Sequence, residues 1–277
     1  MFKGSLFERE IKMAEKQTFS SELLPVRTPI YRELLSGVDW LALHYSPVYY
    51  GFGVPRGDGS AVVLVPGFLA TDAYLTEMKC WLNRIGYRTY LSNIGRNADC
   101  LETLVNRLQA TVEKAFHETG RKVHLIGHSL GGVLSRALAA RSPEFIASVI
   151  TMASPFRGIS SHPLVLQASN VVRQRLQFEK KKEGPPQPHC MTGWCTCSAG
   201  QALRNRLPGD IMQTAIYTRS DGIVDWRVCV TDRAEDNFEV IGTHIALVFN
   251  PFVYRVVSYR LKQATRMVQN APVQKVG

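Results

Sequence analysis

The sequence predicts an α/β protein, with a mostly parallel central sheet covered by helices on both faces. Three observations predict it. Short runs rich in valine and isoleucine alternate with helical patterns, the first of them stops at Pro66-Gly67, and the third runs straight into Gly127-His128-Ser129-Leu130-Gly131-Gly132. Strands that are apolar on both sides need cover on both sides, which crossover helices supply and tight hairpins do not. The chain has 277 residues, 45% hydrophobic and 20% charged, enough for a substantial core.

Taken in order, residues 1–46 are expected to form an N-terminal helical arm. Its mixed-charge segment 1–17 is a candidate for peripheral membrane or partner contact. Residues 48–52 suggest an antiparallel edge strand. Buried strands are expected at 61–65, 87–91, 122–126, 147–152, 211–217 and 238–241. Leu101, Leu104, Val105, Leu108, Val112 and Ala115 recur at helical spacing, and a second helix over 133–140 closes at Ser142-Pro143. The last helix should start at Pro251, behind the capping Asn250, and run to about Val268. These elements divide the chain into a core of residues 47–153 and 211–277 and an insertion of residues 154–210. The insertion far exceeds the dozen or so residues a crossover needs. With a helix expected over 163–178, a charged proline-rich stretch and three cysteines, it is read as a cap or lid over the strand ends.

The net charge of +10 favours anionic surfaces, but the basic residues are spread along the chain. Only Lys180-Lys181-Lys182 is a tight run, beside Gly184-Pro185-Pro186, so no nucleic-acid partner is expected. No segment approaches the roughly 18 consecutive apolar residues of a membrane span, and the first residues lack a leader's apolar block. A cytoplasmic protein is therefore expected, with secretion left open by six cysteines. No cofactor or metal is anticipated, and the oligomeric state is left open.

Gly127-His128-Ser129-Leu130-Gly131 is a G-x-S-x-G motif between a strand and a helix, the setting in which it marks a nucleophilic serine. A serine on so tight a turn needs glycines two residues to either side, where a side chain would strike the adjoining strand or helix. The helix behind Ser129 aims its first amides at the place where negative charge develops. An oxyanion site needs two such donors. Leu130 supplies one, and Phe68, in the turn after the first strand, supplies the other. The base must be a histidine oriented by a carboxylate, in the chain order serine, acid, histidine. His244 follows a late strand and precedes the last helix, so it is the expected base. Asp221, with Gly222 beside it for a sharp turn, is the expected acid, and Asp225 is the alternative. No metal ligand enters this scheme.

Gly127 to Gly132, Val65-Pro66-Gly67-Phe68, Asp221-Gly222-Ile223-Val224 and Gly242-Thr243-His244 together resemble bacterial lipases and esterases of the α/β-hydrolase fold, over roughly residues 47–268. The resemblance implies carboxylic ester substrates, small or lipid, and an acyl-serine mechanism. By motif it carries Ser129, Asp221 and His244 as the triad and Phe68 and Leu130 as the oxyanion donors. Phe156 departs from the pattern, standing where a histidine is frequent. In the insertion, Leu164 and Leu166 belong to an apolar helical stripe and are candidate substrate contacts. Cys190, Cys195 and Cys197 allow a bridge towards Cys229, plain thiols, or a zinc site whose C-x4-C-x-C spacing is unusual. Two other functions use the same chain: an acyltransferase in which an alcohol or thiol replaces water, or a catalytically silent binding protein.

Overall fold

Six strands form the sheet: β1 (Ala61–Val65), β2 (Arg88–Leu91), β3 (Val123–His128), β4 (Ile146–Met152), β5 (Met212–Tyr217) and β6 (Asn237–Glu239). The computed structural model describes residues 29–158, 160–180 and 195–270. The strand order is β2-β1-β3-β4-β5-β6, and every neighbouring pair is parallel. The helices are α1 (Ser36–Tyr45), α2 (Thr76–Arg84), α3 (Leu101–Thr119), α4 (Leu130–Arg141), α5 (Pro163–Lys180), α6 (Ser198–Arg204) and α7 (Pro251–Asn270).

Successive strand residues point to opposite faces, and each face has its own core. Val62, Leu64, Ile126, Ile150 and Ile216 pack against Leu43 of α1, Met78 and Trp81 of α2, and Tyr254 and Val257 of α7. Ala61, Val63, Val65, Val123, Leu125 and Val149 pack against Leu104 and Leu108 of α3, Leu134 and Leu138 of α4, and Ala199 of α6. Every residue of β1, β3 and β4 is buried, which explains why β1 is a continuous apolar run and why β3 and β4 lack a regular apolar–polar alternation. The chain leaves β1 for β2 on one side, then returns to β3 on the other and proceeds to β6. The order therefore reverses between β1 and β3, and open α/β sheets bind ligands beyond the strand ends at such a reversal.

The six buried strands expected are present, β1 at the expected bounds and the others with ends displaced by one or two residues. β3 runs two residues past Ile126 because Gly127 and His128 still pair with Thr151 and Met152. Residues 48–52 are not an edge strand. They form a 3-10 helix, Pro47–Tyr50, because Pro47 sits at its start, the Ser46 side chain accepts from the Val48 amide, and Gly51 closes it at φ 86°. The buried Trp81 indole then donates to the Val48 carbonyl at 2.8 Å, anchoring this turn to α2. α2 itself is a helix the pattern did not announce: three buried residues, Met78, Trp81 and Leu82, are all that mark its inner face.

The described part of the N-terminal segment begins with a 3-10 helix, Ile30–Leu35, that leads into α1, whose Leu43 is fully buried. Segment 1–17, Lys181, Lys182, most of the proline-rich stretch and Cys190 lie outside the described residues. Among the described residues, no helix is long and apolar enough to cross a membrane.

Candidate active site

Ser129 sits between β3 and α4 with φ 53° and ψ −124°, a conformation that costs a non-glycine residue about 1–3 kcal/mol. Its amide donates to the Met152 carbonyl at 2.8 Å, and its own carbonyl accepts from the Gly132 amide at 3.0 Å. The flanking glycines are obligatory on contact grounds. A Cβ on Gly127 would lie 2.4 Å from the backbone of Gly131, and one on Gly131 would lie 2.2 Å from the Val65 carbonyl oxygen. Strand β1, strand β3 and helix α4 thus meet at backbone distance and lift the serine side chain out of the turn.

Asp221 and His244 come from the loops after β5 and β6, and both are buried. His244 Nδ1 lies 2.7 Å from Asp221 Oδ2. A carboxylate only accepts, so Nδ1 carries the proton and Nε2 is left with a lone pair. The other carboxyl oxygen of Asp221 accepts from the amides of Ile223 (2.8 Å) and Val224 (2.7 Å), which fixes the acid against its own turn. Asp225 does something else: it caps the 3-10 helix Trp226–Val228 by accepting from the Arg227 amide at 2.9 Å and pairs with the Arg227 guanidinium at 3.1 Å. Burial disfavours the charged imidazole of His244, but Asp221, and then Glu33, more than offset it, so its pKa is raised above the ordinary value.

Three further side chains hold the His244 turn, and none of them was expected there. The Glu33 carboxylate accepts from the amides of His244 (3.1 Å) and Ile245 (2.8 Å) and, across the site, from that of Gly222 (3.1 Å). The Tyr74 hydroxyl donates to the Ile245 carbonyl at 2.8 Å. His128, which its place beside the serine suggests as an oxyanion-side residue, instead puts Nε2 2.9 Å from the His244 carbonyl. A carbonyl only accepts, so this nitrogen carries the proton. Burial and the neighbouring His244 lower the pKa of His128 to about 3, so the ring is neutral. The two imidazole rings stand 4.9 Å apart, centre to centre, which brings the His244 turn beside the residue that precedes Ser129. Sequence spacing carries no sign of Glu33 or Tyr74.

Ser129, Phe68 and Leu130 line one cavity of about 170 Å³. Leu130 is the first residue of α4, so its amide has no partner within the helix. The amides that follow Phe68 are engaged, Leu69 to the Asn97 carbonyl at 2.8 Å and Ala70 to the Gly67 carbonyl at 3.1 Å. Leu104, Val133, Leu203 and Ile223 make most of the remaining wall apolar, and α5 adds Val165, Leu166 and Ser169. Leu166 is therefore at the cavity, as expected. Leu164 is not: it is 55% exposed, because successive helix residues turn by about 100° and the face that carries Leu166 turns Leu164 outward. The segment leading into α5 is fastened to the acid loop, with the His162 amide donating to the Ile223 carbonyl and Ser161 bridging Val224.

Cys195 reaches the same cavity and lies 3.1 Å, sulfur to sulfur, from Cys197, whose thiol burial pushes up to about 12. Cys229 is buried against the Asp225 carbonyl. Cys195, Cys197 and Cys229 are all free thiols, so the bridge considered between the insertion and Cys229 is not formed by any of these three.

With this geometry in view, the chain can be set beside known proteins. The sequence profile of the palmitoyl protein thioesterase family matches residues 61–216, from the first residue of β1 almost to the end of β5. The chain belongs to this family. The match includes Phe68, Ser129 and Leu130 and stops short of Asp221 and His244. A triacylglycerol lipase from Burkholderia plantarii is 32% identical over 133 residues, covering 45% of this chain and 37% of that protein. A triacylglycerol lipase from Pseudarthrobacter phenanthrenivorans is 36% identical over 106 residues, covering 35% of this chain and 33% of that protein. The matches thus span about a third of the length of these curated relatives. Among solved structures, a monoacylglycerol lipase from Paleococcus ferrophilus aligns with a TM-score of 0.49 at 17% identity, over 76% of this chain and 97% of that one.

Proposed function

We propose that this protein is a serine hydrolase that cleaves carboxylic esters through an acyl-serine intermediate, with Ser129, Asp221 and His244 as its triad. The observation that carries the proposal is the buried 2.7 Å contact between Asp221 and His244, whose ring stands beside that of His128, the residue before a serine on a strained elbow that opens into an apolar cavity. Names of the lipase relatives agree with ester substrates. In this reading His244 Nε2 takes the Ser129 proton as the oxygen attacks the acyl carbon, and Asp221 stabilises the imidazolium that forms. The amides of Phe68 and Leu130 bind the oxyanion, and His244 returns its proton to the departing alcohol. Water, activated by the same imidazole, then frees the acid and restores the serine.

The cavity sets the acyl group. A dry protein cavity of about 150 Å³ takes up benzene, so about 170 Å³ suits an acyl chain of roughly six to eight carbons. Helix α5 acts as a cap, its Val165 and Leu166 closing the apolar wall. The family's description favours a second reading of the leaving group, a thiolate in place of an alkoxide, with the same residues and steps.

The test is labelling with a fluorophosphonate, followed by turnover of p-nitrophenyl esters from acetate to palmitate and of the matching acyl thioesters. Wild-type protein should be labelled at Ser129, with turnover highest at hexanoate and octanoate. Ser129→Ala should be folded, unlabelled and inactive; a Ser129→Ala protein that turns over esters at the wild-type rate defeats the proposal.

A further inference from the structure

We propose that Glu33 is a positioning residue of this site, whose carboxylate locks the acid turn and the base turn into one frame and lends its charge to the imidazolium of His244. The proposal rests on the triad reading above and adds a fourth group from a segment that no motif includes. Glu33 lies in the 3-10 helix Ile30–Leu35, and only 6% of it is exposed. One carboxyl oxygen accepts from Gly222, the residue after Asp221, and from His244 itself, both at 3.1 Å. The other accepts from Ile245 at 2.8 Å. A single side chain therefore touches both loops that supply the acid and the base. Its fit is close: a Cβ on Gly222 would come within 3.1 Å of the Glu33 carboxyl and 3.3 Å of the Pro29 carbonyl.

Charge follows from the same contacts. The partners of Glu33 are three backbone amides, which satisfy its oxygens without cancelling its charge. Around His244 stand Asp221 from the β5 loop, on the imidazole itself, and the neutral His128 from β3, the Tyr74 hydroxyl and Glu33, on the backbone of residues 244 and 245. The two carboxylates favour the protonated ring against the burial that opposes it. In the active, deprotonated enzyme that ring becomes charged as the serine attacks and loses its charge as the leaving group departs, so a fixed negative charge nearby lowers the barrier without tightening substrate binding.

Glu33→Gln removes the charge and keeps an acceptor oxygen of nearly the same reach. Compared at equal folded fraction by circular dichroism, it should lose roughly 10- to 100-fold in kcat on p-nitrophenyl hexanoate with little change in KM. The acid limb of its kcat/KM profile should move to lower pH, since His244 would then hold its proton less firmly. Glu33→Asp keeps the charge but shortens the reach. It should lose kcat with the acid limb in place, and it supplies the readout should Glu33→Gln not accumulate as folded protein. A purely structural role leaves the limb where it is and lowers only the folded fraction; that result overturns the proposal, as does either variant with wild-type kcat and profile. Wild-type protein that neither labels at Ser129 nor turns over ester fails the triad reading itself, whereas labelled and active wild type beside normal variants fails Glu33 alone.

Discussion

Around Ser129 the fixing contacts are local or pass between adjoining strands: the hydrogen bond its amide donates to the Met152 carbonyl on β4, the one its carbonyl accepts from Gly132 three residues on, and glycines that let α4 touch β1 and β3. Around His244 the contacts come from far along the chain. Glu33 is 211 residues away, Tyr74 bonds across 171 to the next residue, and His128 lies 116 residues before it. One half of the site is thus fixed by close backbone contact, and the other by side chains from distant parts of the chain. Changes on the first half act through backbone collision, and changes on the second act through hydrogen bonds and charge. Substitutions that separate these two modes can break the comparison or sharpen it.

The largest effect is expected at Asp221. Asp221→Asn keeps the shape but offers an amide hydrogen where the carboxylate accepted the His244 Nδ1 proton, turning the ring towards the wrong tautomer. In the Ser-His-Asp template this exchange lowers kcat about 10⁴-fold, or about 5 kcal/mol of barrier. A loss of that size at unchanged melting temperature is the expected outcome in steady-state kinetics and thermal melts. A fall below tenfold would remove Asp221 from the triad. On the other half, Gly131→Ala should act on folding. Its Cβ would need the Val65 carbonyl oxygen to retreat from 2.2 Å, moving strand backbone in a fully buried layer. We expect a loss of about 3 kcal/mol, the upper range for overpacking, read as a lowered denaturant midpoint. An alanine variant as stable as the wild type would show that the elbow is held by something other than close backbone contact.

The same division explains what the sequence made legible. Gly127, Ser129 and Gly131 sit in one pentapeptide because the elbow that needs them is one short turn, so a motif exposes them, although the atom that Gly131 must clear is the Val65 carbonyl oxygen of β1. The sheet was legible for a related reason: burial on both faces makes β1 wholly apolar and β3 and β4 mostly so, and these runs stand out. His244 and Asp221 were legible through their place after late strands. Glu33 was not, because one acidic residue in an N-terminal helix looks like any solvated side chain until the fold brings two loops to it. Helix α2 escaped for want of length, and residues 48–52 misled because Val48 and Tyr49 are buried, as strand residues are, although Pro47 and Gly51 bend them into a turn. His128 misled in another way. Its neighbour in sequence is the serine, but its hydrogen bond goes to the backbone of His244.

The smallest effect is expected at Asp225, the residue that sequence reasoning held as an alternative acid. Its carboxylate faces Arg227, accepting the Arg227 amide and pairing with a guanidinium whose side chain is 57% exposed. Asn at this position keeps an oxygen able to cap the same amide. What is lost is the ion pair, and solvent screening holds such pairs to about 0–1 kcal/mol. Asp225→Asn should therefore lower stability by less than about 1 kcal/mol. It should leave kcat within about threefold, because the hydrogen bonds that orient Asp221 come from the amides of Ile223 and Val224, the two residues before the substituted one, and not from its side chain. Measured beside Asp221→Asn in the same buffer, the pair isolates orientation of the imidazole from the integrity of the loop. Equal losses in kcat for the two variants would mean that the loop acts as one unit and that the 2.7 Å contact is not what selects Asp221. Unequal losses, separated by about three powers of ten, would place the acid's role in that one oxygen.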